Sequence, residues 1–356
     1  MTDTTHSTKT ALSYFTAAFI VTAVGLALGG WLGWQTSDTL AGAASIFFIC
    51  CVLAILEISL SFDNAIVNAN KLKDMEPLWQ RRFLTWGILI AVFGMRIVFP
   101  VLIVVVAAQV GPVQAVVLAA SKPDEYAAIM HDAHLPIAAF GGTFLMMVAF
   151  NFFFDHEKDI HWVHALEVWA ARYASVQGIS IAVVLAVVLS FAAFLPEGEA
   201  AVFVTAAVWG LFTFLLVELL GGILDSKAQA TAGAARGGLG AFLYLEVLDA
   251  SFSFDGVIGA FALTNNLFII AIGLGIGAMY VRSMTIMLVH KGTLSEYRYL
   301  EHGAFYAILV LALIMYAQSL VHISEIITGL IGTAIIGVAL LSSLRWNRRV
   351  EERPAT

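Results

Sequence analysis

Two stretches of this chain read almost alike: Glu57-Ile-Ser-Leu-Ser61-Phe62-Asp63-Asn64-Ala65 and Asp249-Ala-Ser-Phe-Ser253-Phe254-Asp255-Gly256-Val257. In each, an acid is followed after five residues by a second acid, with Ser-Phe-Asp in the same place. Each stretch is followed by an apolar run holding one arginine, Arg96 after the first and Arg282 after the second. Asp63 and Arg96 are 33 residues apart and Asp255 and Arg282 are 27, the difference fitting a shorter connection around Asn265-Asn266. The chain therefore carries an internal repeat, and the repeat places carboxylates inside apolar sequence.

The composition says what surrounds those carboxylates. Of 356 residues, 60% are hydrophobic and 12% are charged, against roughly 45–50% and 25% in a soluble domain. So few charges cannot cover a globular surface of this size, and the surplus apolar area needs a bilayer. A mean hydropathy of +0.90 excludes a disordered chain. The net charge of -7 argues against a nucleic-acid partner. Cys50 and Cys51 are adjacent and can form neither a disulfide framework nor a Cys-rich zinc site.

Apolar runs near 20 residues predict an all-α polytopic membrane protein of about ten spans. They lie near Ala11 to Trp34, Ala41 to Val67, Phe83 to Val110, Leu135 to Phe154 and Gly178 to Leu195, then Ala200 to Leu224, Ala241 to Leu263, Leu267 to His290, Gly303 to Ser319 and Ile323 to Leu344. The first run is too long, and the stretch before it too poor in basic residues, for a cleaved signal peptide. With both termini cytoplasmic, 15 of the 18 Lys and Arg residues fall on the inner side and only Lys122 on the outer. Arg96 and Arg282 lie within spans. This asymmetry is what the positive-inside rule requires, and it points to a multi-pass protein of the bacterial inner membrane. The whole chain, 1–356, reads as one membrane domain. The repeat cores are 41–154 and 241–319, and 155–177 is a cytoplasmic loop rich in His and acids.

In this topology the two motif helices run in opposite directions. Inverted halves are the signature of secondary transporters, with the site near the midplane where they meet. An Asp or Arg inside the bilayer costs at least about 2.5–3.5 kcal/mol, so such residues face a partner or a wet cavity. Glu57, Asp63, Glu246, Asp249 and Asp255 share two spans with Arg96 and Arg282 nearby, which leaves three negative charges to be protonated or balanced by a bound cation. Glu57, Ser61 and Asn64 are spaced to share one helix face, as are Glu246, Asp249 and Ser253. Asp63 and Asp255 lie about 240° further round an unbroken helix, so they join the same site only through local unwinding or by way of a second helix. Every candidate donor is an oxygen, which suits a hard ion such as Mn²⁺, Mg²⁺ or Ca²⁺ rather than Zn²⁺ or Cu⁺.

The Ser-Phe-Asp-Asn-Ala and Ser-Phe-Asp-Gly-Val helices, each followed by an arginine-bearing span, resemble the TerC integral membrane proteins. That group includes Alx-type manganese exporters and tellurium-resistance-associated members. Phe154-Asp155-His156-Glu157-Lys158-Asp159 and Tyr299-Leu300-Glu301-His302-Gly303 resemble an uncharacterised bacterial branch catalogued as a domain of unknown function. The resemblance spans Cys50 to Leu344 and implies manganese efflux, with Glu57, Asp63, Asn64, Asp249, Ser253 and Asp255 as ion-binding positions. Gly256 stands where a Ser is often found in the group, and the extra spans depart from its compact core.

Other signals carry less. His156 and His161 are one residue too far apart for the zinc-protease motif H-E-x-x-H. With Asp155 and Glu157 they read either as a solvated interfacial segment or as a cytoplasmic metal-access site. Glu218 is a candidate proton carrier, and His131, Asp132 and His134 read as a wet outer loop. Gly273, Gly275 and Gly277 follow no strand, so they suit close helix packing rather than nucleotide binding. No nucleophile set is apparent, so no enzymatic activity and no cofactor is expected. The expected function is divalent-cation export by alternating access, most of all of Mn²⁺ and coupled to protons, with Arg96 and Arg282 balancing charge or gating. The alternative is a membrane metallation or metal-stress scaffold without net transport.

Overall fold

The computed structural model describes residues 11–351 other than 156–157, 174, 177, 233–237, 262, 293–295, 322 and 324. Within its helices the side chains of 84, 88, 91–92, 107, 221, 224–232, 254–255, 258–259, 325–326 and 350–351 also lie outside the description. Among the described residues the regular structure is entirely helical. The first half contains α1 (Thr16–Ser37), α2 (Leu40–Leu60), α3 (Phe62–Lys73), α4 (Pro77–Leu89), a π-helical segment (Ile90–Val98) and α5 (Phe99–Ala107). Then follow α6 (Pro112–Ser121), α7 (Pro123–Asp132), α8 (His134–Phe153), α9 (His164–Tyr173), α10 (Ile179–Ala192) and α11 (Glu197–Ala232). The second half closes with α12 (Leu239–Phe261), α13 (Leu267–Lys291), α14 (Leu300–Ala317) and α15 (Glu325–Glu351).

The ends are set by local chemistry. Thr39 starts α2 by accepting from the Gly42 N–H, and Asn266 starts α13 by accepting from the Phe268 and Ile269 N–H groups. Gly292 stops α13 at φ 64°, a left-handed backbone that glycine takes without a Cβ penalty. Pro77, Pro112 and Pro123 each stand in a first helical turn, where the missing N–H is not needed.

Seven of these helices are long and apolar enough to cross a membrane: α1 with its short lead-in, α2, α8, α11, α13, α14 and α15. The ten predicted spans all fall on helices, with local differences at three places. The second predicted span is broken at Ser61 into α2 and α3. The fifth shortens to the 14 residues of α10, about 21 Å and less than a hydrocarbon core. Between the third and fourth spans lie the helices α6 and α7, and His131 and Asp132, expected to be wet, are exposed at the end of α7. Tyr126 and Met130 of α7 are wholly buried there in a core with Val104, Phe261 and Leu267, because the apolar face of the amphipathic α7 finds a surface to cover.

Helices α8, α13 and α14 form the interior, while α1, α2, α11 and α15 present bulky apolar side chains such as Phe48, Trp209 and Leu330 outward. Outward apolar side chains on peripheral helices are what lipid requires. The two halves interlock. On α13, Gly273 meets Leu53 and Gly277 meets Glu57, so α2 runs parallel to α13. On α4, Phe83 meets Phe242 edge to face and Gly87 meets Glu246, so α12 runs parallel to α4. Gly256 of α12 faces Glu57 whereas Asp249 faces Asn64 and Asn68, so the two motif helices are antiparallel. Each motif helix thus lies along the arginine-bearing helix of the other half, the relation an inverted repeat produces.

Candidate functional site

At this crossing a cavity of ≈ 20 Å³ is lined by Glu57, Ser61, Asn64 and Asn68 from α2 and α3, Arg96 from the π segment, and Asp249 and Ser253 from α12, with Arg282 and Thr285 of α13. That volume holds about one water molecule or ion. All seven motif and arginine side chains named from α2, α3, α12 and the π segment are buried. Glu57 is ion-paired with Arg96 and also accepts from Ser61 Oγ at 2.8 Å. The π segment widens the helix where Arg96 leaves it, a local change in register common at functional sites.

Asp249 is held differently. Its Oδ1 accepts from both Asn64 Nδ2 and Asn68 Nδ2, each at 2.8 Å. The two amides therefore turn their nitrogens to the carboxylate, and their own Oδ1 atoms have no hydrogen-bond donor among the described residues. Ser253 Oγ and both carboxylate oxygens of Glu246 are likewise without a partner. A buried acceptor without a donor costs about 1–3 kcal/mol, and those that line the cavity, on Asn64, Asn68 and Ser253, are placed to be satisfied by a water molecule or a cation inside it. Arg282 donates to the Phe83 carbonyl and lies 3.8 Å above the Phe83 ring.

The predicted site residues are thus only partly gathered. Glu57, Asn64, Asp249, Ser253, Arg96 and Arg282 meet at one cavity. Glu246 lies beside Arg282 and Gly87 on α4, off the lining. The break at Ser61 does not turn Asp63 inward. Asp63 instead lines a second cavity of ≈ 20 Å³ with Ser59, Phe252, Thr328 and Thr333, where its Oδ1 accepts from the Asn64 N–H. The side chain of Asp255 lies outside the described residues. Asn68 joins the site without having been singled out, although it extends the face of Glu57, Ser61 and Asn64 by one turn. Among the described residues no three His, Cys, Asp or Glu side chains converge tightly enough to hold a metal alone, so an ion here would draw largely on amide and hydroxyl oxygens.

Asn64, Asn68 and Lys71 mark one face of α3 that leads from this cavity to a vestibule of ≈ 1170 Å³. The vestibule opens at the end of the bundle where the basic residues collect, between Lys71, Lys73, Lys158, Asp155, Glu218 and Glu301. Glu218 is exposed there and accepts from Asn151 Nδ2 at 3.0 Å. His156 and Glu157 lie outside the described residues, and Asp155 is exposed.

His161 belongs to a structural node around Glu167. The carboxylate of Glu167 accepts from the Trp162 and Val163 N–H groups at 3.1 and 3.0 Å and from Tyr306 Oη at 3.2 Å, with Lys158 Nζ 2.9 Å away. His302 Nε2 and His161 Nδ1 stand at 3.3 and 3.5 Å. Burial by itself raises the Glu167 pKa, but His302, Lys158 and the Val163 N–H outweigh it and hold the carboxyl well below the usual range. The node straps the loop joining the halves onto α14. Its sequence signal was the density of charge within an otherwise apolar chain.

Fold, hydropathy and antiparallel motif helices together define a polytopic helical membrane protein with a buried polar site between its two halves. A family model described as "Protein of unknown function (DUF475)" matches residues 62–350, and the chain belongs to that family. No curated protein and no solved structure matches it.

Proposed function

We propose that the protein carries a divalent cation across the bacterial inner membrane, with Mn²⁺ exported by alternating access of the two halves, in exchange for protons. The termini would both be cytoplasmic, so that the vestibule loads the site from inside. The observation that carries this reading is the set of oxygens around Asp249 that have no partner among the described residues: Asn64 Oδ1, Asn68 Oδ1 and Ser253 Oγ, buried at the crossing of antiparallel motif helices. Carboxylate, amide and hydroxyl oxygens favour hard ions and leave Zn²⁺ and Cu⁺ without their preferred donors. The resemblance of the paired Ser-Phe-Asp helices to TerC proteins supports manganese among the hard ions. The deciding experiment is flux into proteoliposomes holding the full chain, with Mn²⁺, Ca²⁺, Mg²⁺ and Zn²⁺ compared under an imposed pH gradient. Mn²⁺ flux that depends on the gradient is expected. Absence of flux for all four, with partner proteins copurifying, would favour the scaffold instead.

A further inference from the structure

The two intramembrane arginines occupy opposite states, and the reason lies on α4. Arg96 is paired with Glu57, the acid of its own half. Arg282 has two acids of its own half within electrostatic reach, Glu246 and Asp249, spaced i, i+3 on α12. It forms an ion pair with neither. Its guanidinium lies instead on α4, donating to the Phe83 carbonyl and resting on the Phe83 ring. That place exists because residue 87 is glycine: a Cβ there would stand 1.9 Å from Arg282 Nη2 and 3.1 Å from Glu246 Oε1. A guanidinium in hydrocarbon normally takes the nearest carboxylate, yet among the described residues both oxygens of Glu246 are without a partner.

Resting on the transport reading above, we propose that Arg282 is a tethered cation that competes with the transported ion for Asp249, and that Phe83 and Gly87 are positioning residues that park it. With Arg282 parked, Asp249 is open to an ion. When the halves exchange conformations, as inverted repeats do, Arg282 swings onto Asp249 and expels the ion while Arg96 releases Glu57.

Gly87→Ala fills the parking place and should drive Arg282 onto the acids. Titration of the purified full-length protein with Mn²⁺ should then show at least about a tenfold weaker Kd, the scale of one competing charge at close range. Gly87→Ala combined with Arg282→Gln should recover most of that affinity, since the competitor is gone. Phe83→Leu, which keeps volume and loses the ring, should weaken binding by about threefold, the worth of a cation–π contact, and serves if the alanine variant fails to fold. Wild-type protein that binds no divalent cation would overturn the transport reading itself. Wild-type binding with unchanged affinity in folded Gly87→Ala and in Phe83→Leu, or with no recovery in the double variant, would overturn the tethered cation alone.

Discussion

The two halves carry the same motif and use it differently. In the first, the helix breaks at Ser61, whose φ of -101° and ψ of 16° separate α2 from α3, and the acid before the break is neutralised by Arg96. In the second, α12 runs unbroken through its motif, and Asp249 is held by amides contributed by the first half. One half therefore spends its acid on an internal ion pair, and on the transport reading proposed above the other keeps its acid for exchange. Pseudo-symmetric halves caught in unlike states are what alternating access needs, since the opposite state follows by exchanging their roles.

The largest test of that division compares Asp249→Asn with Asp63→Asn. Asp249 faces the shared cavity and Asp63 a separate one, so titration with Mn²⁺ should lose at least about a hundredfold in affinity for Asp249→Asn, in keeping with removal of a charged ligand. Asp63→Asn should change equilibrium binding little. Equal losses in both would erase the distinction between the cavities. Next in size is stability. Arg96→Gln strands a buried carboxylate and should cost about 3–5 kcal/mol, while Arg282→Gln breaks no ion pair among the described residues and should cost about 1.5–3 kcal/mol for a lost charged hydrogen bond. Thermal melting in detergent reads both, and Glu57→Gln added to Arg96→Gln should restore most of the loss.

Much of this was legible in the sequence because the bilayer leaves the chain little freedom. Apolar runs found the helices, and the placement of Lys and Arg fixed opposite directions for α2 and α12, which agrees with their antiparallel packing. The 3.6-residue period collected Glu57, Ser61 and Asn64 on one face and put Asp63 off it. The role of the break was not legible. A kink could have turned Asp63 inward, and only the packing of α14 and α15 against that side shows where it went. Nor could spacing show that α6 and α7 fold back as short helices, since ten-residue apolar segments fit a helix, a loop edge or a partial span alike. The π segment was hidden too, because its extra register comes from neighbours rather than from composition.

A smaller effect concerns the strap between the halves. Glu167→Gln removes a carboxylate that backbone N–H groups, Lys158 and His302 converge on, and should cost about 1–3 kcal/mol near neutral pH. The sign with pH follows from the lowered pKa. The stabilisation is complete above the ordinary carboxylate value of 4.5 and is lost as pH falls from there towards the lower folded value. Wild-type protein should therefore lose part of its melting temperature between pH 5 and pH 3 (about two units around that value) that Glu167→Gln lacks. Parallel curves for the two would show that the strap does not depend on the charge.

The two motif serines set the finest comparison, because they occupy equivalent places and have unlike partners. Ser61 Oγ donates to Glu57, so Ser61→Ala should cost about 1 kcal/mol in melting experiments. Ser253 Oγ has no partner among the described residues, so Ser253→Ala should leave stability within about 0.5 kcal/mol of wild type. For Mn²⁺ affinity the order should reverse. Removing a hydroxyl ligand from the open half weakens binding by about threefold to tenfold, one hydrogen-bond-sized interaction, whereas Ser61 is already engaged with an acid that Arg96 neutralises. The crossed pattern, one serine felt in stability and the other in binding, is not expected of two halves that share the ion equally. Matching effects at both positions would mean that the asymmetry around Asp249 is not used in binding.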